Sequence, residues 1–93
     1  MSLSFKEHVD RYHTRMEELR GIVDRNGTLK AQSDRYPHYR IVLTRSTSPG
    51  VVWQVTSFDG REPTGHRDYD RLDGGSPMQN ALAEFMSADM RIL

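Results

Sequence analysis

Between residues 5 and 23 the apolar side chains Phe5, Val9, Tyr12, Met16, Leu19 and Val23 recur four and three positions apart. That spacing returns to one side of an α-helix every two turns and predicts a single amphipathic helix of about five turns. Ser4 stands where an N-cap is needed, with Glu7 three residues on, the spacing of a capping box. Asn26-Gly27 supplies the left-handed residue that ends such a helix. The period then changes from about 3.5 to 2. Thr28–Ser33 is short but strand-like, and in His38–Arg45 the residues Tyr39, Ile41 and Leu43 alternate with polar ones. Val51–Phe58 is β-branched and aromatic, with Val51, Trp53 and Val55 on one side. The intervening Ser46-Thr47-Ser48-Pro49-Gly50 is a turn cluster that joins the last two strands as a hairpin.

After the turn at Asp59-Gly60 the pattern weakens. A fourth short strand is expected at Gly65–Tyr69, and Asp73-Gly74-Gly75 breaks the chain. Ser76 as cap, Pro77 at the first helical position and Gln79 three after the cap open a second helix. Its core side is expected to be Met78, Ala81, Leu82, Phe85 and Met86. The reading is an α+β fold in the order α-β-β-β-(β)-α. It has an antiparallel sheet of three to four strands, with both helices packed on one face. Residues 1–93 form one domain, residues 1–3 being set aside as a leader.

Composition narrows the function classes. The chain has 93 residues and no cysteine, which removes disulfides, thiolate metal sites and a cysteine nucleophile together. Apolar residues make up only 35%, so a second copy is expected to complete the burial. No apolar run is long enough for a membrane helix, and no basic-then-apolar signal opens the chain, so a cytoplasmic protein without membrane contact is expected. Net charge is zero, against the electrostatic footprint of a nucleic-acid binder. Residues 1–45 nevertheless carry nine basic and six acidic side chains, and residues 46–93 four and seven. Arginine outnumbers lysine 11 to 2, which reads as genome base composition in a bacterial-type chain rather than as phosphate recognition.

Several residue groups carry candidate chemistry. On an extended segment, His66, Asp68 and Asp70 project from one side, a plausible metal set. The calcium-loop pattern fails, because Leu72 and Asp73 stand where an oxygen ligand and a glycine belong. A solvated, salt-bridged hairpin is the preferred reading, with no metal and no cofactor. His8 and His13 are five apart on the first helix and do not share a face. Nucleophilic catalysis finds no serine motif, and Gly74-Gly75 lacks the lysine of a phosphate loop. Trp53, Tyr36, Tyr39, Tyr69 and Arg40 are a candidate stacking platform, with Trp53 assigned instead to the core. Arg40, Val42 and Thr44, with Val52, Gln54 and Thr56 opposite them, would then occupy the sheet face turned away from the helices.

The α-β-β-β-α order resembles that of the double-stranded-RNA-binding domain, and Tyr36-Pro37-His38 is similar to its Gly-Pro-x-His loop. The resemblance implies a nucleic-acid module. The second helix, however, reads Ser76-Pro77-Met78-Gln79-Asn80-Ala81-Leu82-Ala83-Glu84, with none of that family's phosphate-gripping lysines. The expectation is a non-catalytic binding or accessory domain that forms a homodimer through Arg40, Val42, Thr44, Val52, Gln54 and Thr56. A nucleic-acid module and a small metal-dependent enzyme using His66, Asp68 and Asp70 are the alternatives.

Overall fold

The computed structural model describes residues 4–71 and 76–93. Helix α1 spans Phe5–Asn26. The Ser4 hydroxyl accepts the Glu7 amide at 3.2 Å and donates to its carboxylate at 3.1 Å, completing the capping box. Gly27, at φ 74°, closes the other end by donating its N–H to Val23 O. Only glycine takes that left-handed geometry without strain. Arg15 and Glu18 form an ion pair on the exposed side, at 3.3 Å.

Four strands follow, β1 (Thr28–Ser33), β2 (Tyr39–Arg45), β3 (Val51–Asp59) and β4 (Glu62–Asp70). Helix α2 (Pro77–Leu82) continues into a 3-10 turn at Ala83–Phe85, and strand β5 (Met90–Ile92) ends the chain. All pairings are antiparallel, and the spatial order is β4-β3-β2-β1-β5. The α+β class and the α-β-β-β-β-α order are as expected. The sheet is larger than expected by one strand, because β5 returns to pair with β1.

Local sequence could not announce β5, which has only three residues. It is fixed by distant partners. Asp34 donates its amide to Asp89 O at 2.7 Å, and the buried Ser33 hydroxyl donates to the Asp89 carboxylate at 3.2 Å. Arg91 pairs with Asp34 at 3.1 Å. Hydrogen bonding, from the Ser87 hydroxyl first, holds the Asp89 carboxyl below its usual range.

The core is one cluster. It contains Met16, Leu19 and Val23 of α1, alternating residues of β1, β2 and β3, then Ala81, Leu82 and Phe85, and Met90 of β5. Every other buried residue among those described is Ser33 alone. Two helical expectations change. The apolar stripe of α1 divides at Met16: Phe5 and Tyr12 are exposed and Val9 only half-buried. On the expected core side of the second helix Met78 is only partly buried, and Met86, also partly buried, falls beyond the 3-10 turn. Ser76 caps α2 by accepting the Gln79 amide at 3.4 Å, with Pro77 at the first position. Ser76→Ala is expected to cost about 0.5–2 kcal/mol, at the lower end for so long a bond. An unchanged urea midpoint would count against a cap at this residue.

Candidate functional site

Register decides which residues share a face. Lys30 lies opposite Val42, Val42 opposite Thr56, and Thr56 opposite His66. Thr28, Thr44, Gln54 and Asp68 form the next row, and Gln32, Arg40 and Phe58 a third, which Arg91 of β5 extends beside Gln32. These rows are the alternates of the core positions Leu29, Ala31, Ile41, Leu43 and Val55, so they lie on the sheet's other, outer face. None of them is buried. Arg40, Val42, Thr44, Gln54 and Thr56 are therefore brought together as expected. Val52, expected with them, sits at a register shift between Val51 and Trp53 and packs against the core cluster instead.

Within this face Arg40 lies over the Phe58 ring, its guanidinium carbon 5.1 Å from the ring centre. Arg40 Nε is buried there without a hydrogen-bond partner. Cations lie toward the β1, β2 and β5 side as Lys30, Arg40 and Arg91, the last already paired with Asp34. On the β4 side stands Asp68, whose Oδ1 accepts from Gln54 Nε2 at 2.9 Å. Phe58, Lys30 and Arg91 were missing from the expected surface. The first two follow from strand parity, whereas Arg91 becomes visible only once β5 is paired.

The stacking platform comes apart. Trp53 is in the core, capped at its rim by Arg45, 5.0 Å from the ring centre. Tyr36 is exposed in the β1–β2 connection, and Tyr39 lies at the end of β2. The Tyr69 hydroxyl donates to Glu84, and Arg67 pairs with the same carboxylate at 3.7 Å. Burial first, and the Glu84 carboxylate next, raise the Tyr69 hydroxyl above its usual pKa. This polar clasp ties β4 to the turn after α2.

His66 and Asp68 do share the outer face, with Nε2 and Oδ1 4.0 Å apart. Asp70 pairs opposite Val51, beyond the register shift. Among the described residues no three histidine or acidic side chains converge as a metal site. The breaker expected at Asp73-Gly74-Gly75 lies outside the described residues.

No family model, curated protein or solved structure matches this chain. The observed α-β-β-β-β-α-β order also departs from the double-stranded-RNA-binding arrangement by two strands. Among the described residues no helix is long and apolar enough to cross a membrane.

Proposed function

We propose that this chain is a non-catalytic binding domain of the cytoplasm, and that it works as a homodimer joined across the outer face of its sheet. The observation that carries the reading is the composition of that face. Val42 lies near its centre, on the middle strand, among Thr44, Gln54 and Thr56, with Phe58 and Arg40 beside it. Such a mixture of apolar, hydroxyl and amide groups around a stacked arginine matches the make-up of protein interfaces.

Charge favours a second copy as the occupant. A two-fold axis parallel to the strands would lay β2 over β2 and carry Lys30 on the β1 side of one copy toward Asp68 on the β4 side of the other. One patch then complements itself. Area is adequate. Five strands about 4.8 Å apart and roughly 25 Å long offer about 600 Å² per copy, close to the ~800 Å² per partner of a standard interface. The sheet edges are poorer candidates. β4 carries Pro63 and charged residues along its length, and β5 is short, both of which discourage edge pairing.

Light scattering over a wide dilution series is expected to give twice the chain mass at high concentration. Val42→Glu, which places two like charges together near the axis, should give the monomer mass with the thermal midpoint of the diluted wild-type monomer retained. A wild-type monomer at every concentration would overturn the reading. Tight binding of single-stranded nucleic acid at physiological salt, lost in Arg40→Ala, would replace it with the nucleic-acid one.

A further inference from the structure

A two-fold axis parallel to the strands keeps each residue's height along β2, so Arg40 faces its own copy across the axis, as Val42 does. Arg40 is a cation that the single chain leaves unneutralised. Among the described residues it forms no ion pair, and its Nε is buried without a hydrogen-bond partner. Its row neighbours, Gln32 and Phe58, carry no charge. Asp34, just past the end of β1, is already bound to Arg91 at 3.1 Å. Asp68 lies two rows and two strands away, about 13 Å along the sheet and roughly 10 Å across it.

Two facing arginines oppose association unless a group between them takes up their charge. The geometry leaves room for one. Each Arg40 guanidinium leans over Phe58 on the neighbouring strand β3, 5.1 Å from the ring centre. In the two copies β3 lies on opposite sides of the axis, so the guanidinium groups stand up to about 10 Å apart, two strand spacings. A tetrahedral oxyanion held by N–H···O contacts of about 2.8 Å on both sides spans roughly 8 Å. A carboxylate turns both oxygens to one side and serves only one fork, whereas a tetrahedral anion offers oxygen pairs to two. With Nε buried, the terminal nitrogens of each guanidinium make the available fork.

Resting on the sheet-face dimer, we propose that the two Arg40 side chains, one from each copy, form a binding site on the two-fold axis for a tetrahedral oxyanion of the phosphate type. The site is incomplete in either copy alone. Val42 and Phe58 border it with apolar surface, and the lower local dielectric strengthens the charge pairing. Because the anion binds only between copies, it strengthens their association by mass action.

The test is sedimentation equilibrium of the full chain, with inorganic phosphate as the probe and chloride at equal ionic strength as the comparison. Millimolar phosphate is expected to tighten the dimer about tenfold. The general exclusion of phosphate from protein surfaces needs far higher concentrations and would act on any variant. Arg40→Gln should dimerise in chloride at least as tightly as the wild type and lose the response to phosphate, a combination that misfolding could not produce. Arg40→Lys, which keeps the charge without the fork, should keep only a small part of the response. Calorimetric titration of phosphate into the concentrated wild type should show one anion per two chains. A wild type that is monomeric in both salts would sink the sheet-face dimer and the anion site with it. Dimers of equal strength in both salts would leave the dimer standing and refute the anion site alone. A phosphate response that survives in Arg40→Gln, one anion per chain, or a single-stranded oligonucleotide that binds monomers in place of phosphate would also refute the site.

Discussion

Phe85→Ala is expected to lower stability by about 3–5 kcal/mol, among the largest losses available to a single substitution in this chain. Phe85 is 1% exposed and closes the core from the turn that follows α2. The helix before it has only six residues, too few to hold its shape by hydrogen bonding alone. Its place depends on Ala81, Leu82 and Phe85 being packed, so truncating the ring leaves a cavity and loosens the anchor of the whole segment. A domain of this size has about 5–15 kcal/mol to lose. The urea midpoint should therefore fall steeply while the slope of the transition stays constant. Met86→Ala, at a partly buried neighbour, should cost distinctly less. Equal small effects from the two would remove Phe85 from the core.

Leu19→Ala should cost about 2–5 kcal/mol, whereas Phe5→Ala should change stability by no more than about 0.5 kcal/mol. Both residues belong to the same stripe and differ only in where the helix has reached. Leu19 is fully buried between Met16 and Val23, and Phe5 stands clear of the fold. Thermal midpoints report the contrast well, since each kcal/mol moves the midpoint of a small domain by about 4–8 °C. A matching loss from Phe5→Ala would mean that the first half of α1 is needed for folding.

The periodic parts of the molecule were legible from the chain alone. Capping by Ser4 and Ser76, the stop at Gly27, and strands β1 to β3 all follow from local patterns that agree with the tertiary structure. β4 runs Glu62–Asp70, longer than the expected Gly65–Tyr69, for a physical reason. Its inward positions include Arg67 and Tyr69, held by Glu84, in place of the apolar alternation that marks a half-buried strand. β5 depends on contacts with Ser33 and Asp34, more than fifty residues away, and no local signal encodes such contacts. The stripe on α1 was legible, but not where its cover would end, because that depends on how far the sheet and α2 extend beneath it.

The candidate surface was legible to a similar degree. Strand parity placed Arg40, Val42, Thr44, Gln54 and Thr56 together, since a period of two leaves no other arrangement once Ile41 and Leu43 are buried. Parity could not show that Arg40 lies over Phe58, which follows from the β2–β3 register. Nor could it show Arg91 joining the face through β5.

The absence of cysteine allows the proposed dimer to be mapped directly. Val42→Cys introduces a single thiol near the two-fold axis, and Asp24→Cys introduces one on the exposed side of α1. Facing sheets pack about 10 Å apart, a gap that a short bismaleimide can bridge. The measurement is the yield of covalent dimer at low protein concentration. Efficient crosslinking of Val42→Cys with little from Asp24→Cys is the expected result. A Val42→Cys chain that stays monomeric under the reagent, or crosslinks no better than Asp24→Cys, would contradict self-association across the outer face of the sheet.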